Sequence, residues 1–301
     1  MDFIALGPLG DCKQSMINTA IRMLALAGAA LFGFSASAES SADAPRVVTY
    51  PSSGAGGDKR GDYYVSLLKL ALAKSDGHVV VQPSTNPSVA ARAFVNMGAG
   101  GGIDVVWAPT TRQLERDYLP VRIPVDKGIL GWRIFLIGER DRSQFESIRS
   151  LEQLKALPAG QVREWVDTDI LRDNGLPVIA ATRYENLFTM LAAQRFRYLP
   201  RGIGEIYDEL SNYGHLGLAV ESHLALHYPM CTYFFVAQQN TELARLIEQG
   251  LRRAQKDGTF EQLFQQFYGK VLQAAKLDSR LVFTLERPSA PPTCVRSAMP
   301  R

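Results

Sequence analysis

Gly131-Trp132-Arg133-Ile134-Phe135-Leu136-Ile137-Gly138 reads as one long apolar strand, and it separates two stretches that each alternate short strands with helices. A continuous apolar run bounded by glycines fits a strand buried on both faces. Upstream, Arg46 to Tyr50, His78 to Gln82 and Ile103 to Trp107 read as strands. Between them, Tyr64, Leu67, Leu68, Ala71 and Leu72 recur at helical spacing, and so do Ala90, Ala93, Phe94 and Met97. Downstream, Ser150-Leu151-Glu152-Gln153 has the form of a capping box. Asp167 is placed to cap a short helix that Gly175 ends, and Leu176 to Ala180 is a strand. Tyr184, Leu187, Phe188, Leu191 and Ala192 make one helix face, and Leu216 to Val220 is a buried strand. Thr232 to Ala237 is a second long apolar strand. Two helical stripes close the chain, Leu243 to Ala254 and Phe260 to Val271.

The pattern predicts an α/β chain of two lobes, each a mainly parallel sheet flanked by helices. One long strand leads out to lobe 2 and the other leads back, as two hinge strands. The expected division is lobe 1 over 39–132 and 236–287, lobe 2 over 133–235, and a Pro-rich disordered tail over 288–301. Ligands of such sheets bind at the carboxyl ends of the strands, and two facing lobes set those ends around one cleft. Closure about the two connections then encloses a ligand.

Lys13 and Arg22 precede an apolar run from Met23 to Phe34, followed by Ser35-Ala36-Ser37-Ala38. A basic flank, a short apolar core and an A-x-A site predict a signal peptide over 1–38, cleaved after Ala38, and hence a periplasmic protein. The run is short of the ~20 residues that span a bilayer. Met16 is an alternative start, because the residues before it do not resemble a signal peptide. The formal net charge of +3 is too mild to suggest a nucleic-acid partner. The apolar fraction of 46% supports a substantial core. Of the cysteines beyond residue 38, Cys231 is expected to be a buried strand thiol and Cys294 a loose tail residue; an oxidising compartment leaves open a disulfide between them.

The arrangement resembles the type-2 periplasmic solute-binding proteins, the amino-acid-receptor-like group also called solute-binding protein family 3, and a divergent branch of it. The resemblance covers roughly Arg46 to Leu285. Ile103-Asp104-Val105-Val106-Trp107 is similar to the family's G-x-x-D strand, and Thr110 to Arg116 stands where it has T-x-E-R. Pro124 to Ile137 and Tyr233-Phe234-Phe235-Val236 match its two hinge strands. Gln255 to Phe260 resembles its x-x-D-G-T turn. Arg195 to Gly202 and Leu226-His227-Tyr228-Pro229 carry the likeness to the branch. The resemblance implies capture of a small polar solute, amino-acid-like or another carboxylate, for ABC-type uptake through an inner-membrane permease. A sensory or accessory module on a membrane receptor is the alternative, and a dehydratase-like enzyme a remoter one. It also implies that the T-x-E-R arginine holds a ligand carboxylate, a role for which Arg116 and Arg112 compete. The late lobe-2 aspartate that holds a ligand amine has no clean counterpart; Glu221 is the nearest.

Guanidinium offers a two-pronged clamp for a carboxylate, and Arg116, Arg163 and Arg201 lie near predicted strand ends. Trp107, Trp132 and Trp165 also fall near the expected cleft, where they either wall a ligand or pack in the core. Asp167 and Thr168 are ligand contacts or helix caps. Tyr64 lies on the core stripe, which makes Tyr63 the better ligand contact. The candidate site is therefore Tyr63, Trp107, Arg116, Trp132, Trp165, Asp167, Thr168 and Arg201. No catalytic set, cofactor or metal is expected. The Gly54–Gly57 loop lacks the Lys-Ser/Thr of a phosphate loop. His223 and His227, four apart on a supposed helix, lack a third ligand. Glu164, Asp167 and Glu205 are acids available to an enzyme, but they define no mechanism. A monomer is expected.

Overall fold

The computed structural model describes residues 45–52, 61–86, 88, 90–98, 101–292 and 294. All of them lie in one compact unit, Asp43–Arg301. The expected signal peptide, the start at Met16, the Gly54–Gly57 loop and the last residues of the tail lie outside the described residues. Among the described residues no helix is long and apolar enough to cross a membrane.

The first lobe comprises β1 (Arg46–Tyr50), α1 (Asp62–Ala73), β2 (Val79–Pro83), α2 (Ala90–Gly98), β3 (Val105–Pro109), α3 (Arg112–Asp117) and β4 (Leu119–Val121). The second continues with β5 (Trp132–Gly138), α4 (Arg142–Glu146), α5 (Leu151–Lys155), β6 (Ala159–Val162), α6 (Val166–Asp173), β7 (Val178–Ala181), α7 (Asn186–Ala192), β8 (Tyr198–Gly202), α8 (Ile203–Tyr213), β9 (Leu218–Val220) and β10 (Leu224–His227). The chain returns through β11 (Thr232–Val236), α9 (Thr241–Lys256), α10 (Thr259–Ala275) and β12 (Leu281–Thr284). The capping box at Ser150 forms as the sequence predicts.

In the seven-stranded sheet, ordered β12-β10-β5-β8-β6-β7 with β9 also on β5, only β5 runs against the rest. In the first lobe β1 pairs in parallel with β2, and β11 runs antiparallel between β3 and β4. The two long apolar strands are thus the one reversed strand of each lobe. Both are buried at every residue, which is why their sequences do not alternate. Two boundaries differ from the expected division. β11 bonds to β3 and β4, so Thr232 to Phe235 belong with the first lobe's sheet. β12 bonds to β10, so Leu281 to Thr284 belong with the second.

Short strands at Leu119, Ala159, Tyr198 and Leu224, and the helix α8, carry no clean period and escape a sequence reading. His227 ends β10 and His223 precedes it, so the two do not share a helix face. One of the apolar clusters spans both lobes. Val48, Leu67 and Leu246 of the first are continuous with Ile134, Phe188 and Ile203 of the second, with Phe260 and Phe264 of α10 in the same cluster. α10 packs on α1, α8 and α9. The crossings also touch: a Cβ at Gly131 would collide with the Tyr228 carbonyl oxygen.

Candidate functional site

The carboxyl ends of β6, β8 and β10 and the start of the reversed β5 fall on one edge of the large sheet. Arg133 is the second residue of β5, just inside that edge, and Arg201 the last but one of β8. Both guanidinium groups are buried, at 4% and 5% exposure. A buried charge needs a partner, and each has one. Arg133 Nη2 lies 2.8 Å from Asp167 Oδ1, and its Nε donates to the Tyr228 hydroxyl at 2.8 Å. The Tyr228 hydroxyl in turn donates to Asp167 in a short hydrogen bond. Arg201 bonds Glu209 through Nε and Nη2, with distances of 2.6–2.8 Å. Tyr184 donates its hydroxyl to the same Glu209 at 2.9 Å.

Glu205, in the first turn of α8, joins the two pairs. Its Oε2 is 3.0 Å from Arg201 Nη2 and 4.0 Å from Arg133 Nη1. Its side chain, at 27%, is the most exposed of the network's acids. The Arg201 guanidinium also lies 4.5 Å from the centre of the Trp165 ring. That contact supplies cation–π attraction on one face. Burial pulls both arginine pKa values down. For Arg133, Asp167, Tyr228 and Glu205 more than offset it; for Arg201, Glu205 and Glu209 do. Both remain cations. A fixed pair of guanidinium groups beside an aromatic face and one partly exposed acid can exchange that acid for a solute's anion.

Of the eight predicted site residues, Trp165, Asp167 and Arg201 meet here. Asp167 is not the helix cap; it sits in the first turn of α6, behind Trp165 as cap. Thr168 stands beside them but donates its hydroxyl to the Val162 carbonyl. Trp107 lies on the first lobe, half-buried, stacked on Tyr64. Trp132 is buried against His227, and its Nε1 has no partner among the described residues. Tyr63 donates to the Val125 carbonyl at 2.6 Å and packs on Phe264, Phe267 and Tyr268. Arg116 is exposed and bonds Gln113 on its own helix. Arg163 is also exposed. Glu221 pairs with Arg280 at 3.5 Å and accepts from the backbone of His223 and Leu224. The sequence reading passes over Arg133, Glu209 and Tyr228. One signal was available: Arg133 is the single charge in an otherwise apolar strand.

Another buried acid, Asp126, lies where the chain first crosses between lobes. Asp126 accepts from the hydroxyls of Thr232 at 2.7 Å and Tyr64 at 3.3 Å, and from the Gly128 amide at 3.0 Å. Burial nonetheless pushes its carboxyl up to about 6, against these three donors. The folded protein therefore holds a proton that the unfolded chain has already released. Stability conferred by this group is full below the usual carboxylate range and is lost as pH rises to about 6. The expected loss is about 3 kcal/mol. Asp126→Asn should flatten that part of the stability–pH profile, measured by urea unfolding between pH 4 and 7. An unchanged slope would show that Asp126 does not titrate there.

Residues 288–292 and 294 of the expected tail are not loose. Cys294 forms a disulfide with Cys231, their Cα atoms 5.6 Å apart, and both sulfurs sit in a cluster with Phe94, Met97, Tyr233 and Phe235. Arg287, 4% exposed, donates to the Thr110 carbonyl at 2.8 Å and the Pro229 carbonyl at 3.2 Å. Thr110 follows β3 in the first lobe; Pro229 follows β10 in the second. Arg112 reaches the Pro288 carbonyl at 3.3 Å. A separate depression of about 410 Å³, lined by Lys74, Arg253, Lys256 and Asp257, lies at the far ends of α1 and α9. Lys74 is paired there with Asp257, away from both carboxyl edges.

No protein-family model matches the sequence, and no curated protein is similar to it at the sequence level. Solved structures are similar in fold. An ancestral arginine-binding protein bound to arginine superposes with a TM-score of 0.52 at 19% identity, over 75% of this chain and 98% of that one. A probable amino-acid ABC transporter extracellular-binding protein, YtmK from Bacillus subtilis, gives 0.56 at 16% identity, over 75% and 97%. A histidine kinase sensor domain with similarity to periplasmic binding proteins gives 0.50 at 17% identity, over 75% and 96%. With its two lobes, one reversed strand in each, and buried charges along the carboxyl edge, the chain has the two-lobed fold of the type-2 periplasmic binding proteins.

Proposed function

We propose that this protein captures a small solute bearing a carboxylate between its lobes and hands it to an inner-membrane ABC permease. The observation that carries the reading is Glu205, the partly exposed acid shared by the buried cations Arg133 and Arg201 beside Trp165. A solute carboxylate takes the donors that Glu205 occupies, and the Glu205 side chain swings toward water. Arg201 stays neutralised by Glu209 and Arg133 by Asp167, so the exchange leaves no buried charge bare. Asp167 and Glu205 are both engaged with arginine, which supports binding rather than catalysis.

The experiment is a thermal-shift and calorimetry series with amino acids, organic acids, amines and short peptides. Glu205→Gln removes the competing anion and should tighten binding of the hit about tenfold, roughly 1.4 kcal/mol. Trp165→Ala should weaken it about as much. If no carboxylate stabilises either the wild type or Glu205→Gln, the reading fails. The likeness in fold to a kinase sensor domain supports a second reading, solute reporting to a membrane receptor. Cross-linking the exported protein in membranes separates the two, by recovery of a permease or of a receptor.

A further inference from the structure

We propose that residues 285–292, with Cys294, form a strap that closes the interlobe space from within, with Arg287 as its plug and the Cys231–Cys294 disulfide as its clasp. The inference rests on the two-lobe reading of the site but requires no particular solute. The strap leaves the large sheet at β12, where the Leu285 amide donates to the His227 carbonyl at 2.8 Å and the Leu285 side chain is fully buried. Glu286 exchanges two backbone hydrogen bonds with the Asn174 side chain at the end of α6. The segment is therefore docked on the second lobe along its first two residues.

Arg287 then passes between the lobes and bonds a carbonyl on each side. Its charge lies close enough to Asp167 and Tyr228 for both to favour the cation, although burial pulls its pKa down further than they raise it. Its Nε has no partner among the described residues. A buried cation held by two carbonyls, with one donor unmatched, is a poor final partner for this space. It is a fitting temporary one. Beyond it, Pro291 and Cys294 are buried, and the disulfide fixes the strap's end to the first lobe. A tail tied at both ends adds a connection between lobes to those at residues 122–131 and 228–231 and to α10. Parting the lobes then requires Arg287 to release the carbonyl of one lobe, and the clasp limits how far it can move.

The test reads lobe separation with no solute present. Wild type, Arg287→Ala, Cys294→Ala and the double variant are compared by small-angle X-ray scattering and by amide exchange of peptides covering 105–112 and 224–232. The wild type should scatter as one compact particle. The double variant should expand measurably and lose at least tenfold of its protection in both peptides, each single variant falling between. Near-UV circular dichroism verifies that each variant is folded; if Cys294→Ala is not, Arg287→Ala with the disulfide intact decides through exchange in 105–112. Wild-type scattering and protection in the double variant would overturn the strap. A blank solute screen with an expanding double variant would count against the proposed function alone.

Discussion

Replacing Arg201 with methionine should lower the stability of the protein by about 3–5 kcal/mol, the cost of breaking a buried ion pair from one side. For a chain of this size that is a fall in Tm of roughly 10 °C. Glu209 is 5% exposed, and without Arg201 its only remaining donor among the described contacts is the Tyr184 hydroxyl. The loss comes from the stranded carboxylate more than from the missing attraction. Arg201→Met combined with Glu209→Leu should therefore recover most of the stability, since an apolar pair of similar volume is often neutral or better. Urea unfolding of the two singles and the double gives the coupling directly. A single-variant cost below about 1 kcal/mol, the range of exposed pairs, would mean that water reaches the pair. The proposed carboxylate exchange at Glu205 would then lose its desolvated setting.

The second large effect is at Gly250. This residue lies on α9 where the helix meets α1, and a Cβ there would overlap the Ala71 carbonyl oxygen of α1. Backbone is the obstacle, so no side-chain rotation relieves it. Gly250→Ala gains intrinsic helix propensity of about 1 kcal/mol, yet it must push two packed helices apart. Overpacking of this kind costs typically 1–3 kcal/mol and sometimes more. The net result should be a loss of about 2 kcal/mol, and Gly250→Val should lose more. Thermal unfolding of both variants checks this. A stabilised Gly250→Ala would show that α1 and α9 stand further apart.

Burial explains why some of the site was legible in the sequence and some was not. Trp165 and Asp167 are legible as neighbours because both stand at the start of one short helix, and Arg201 joins them through a strand that carries no clean period. Arg116 was chosen by motif position. In the fold it lies on a six-residue helix with its side chain bonded along that helix, and the buried cations come from the second lobe instead. Arg133 is passed over inside a strand read as apolar. Its role depends on Asp167 and Tyr228, which lie far along the chain. Tyr63 is preferred to Tyr64 as a ligand contact because Tyr64 lies on the core stripe of its helix. Which of them faces a ligand cannot be read from periodicity, and both hydroxyls prove to serve the crossing at Val125 and Asp126.

The sequence by itself determined the alternation of strands and helices, the two long apolar strands and the two-lobed class. These depend on side-chain periodicity, which is local. Only the tertiary structure decided which sheet β11 and β12 join, how the charges at the edge pair, and where the tail goes. Strand partners, ion pairs and a disulfide between residues 63 apart are contacts between distant segments. Their energy arises from burial that no single segment can supply. A Pro-rich composition therefore suggested a loose end, while the buried cluster around Cys231 and Cys294 makes it a strap.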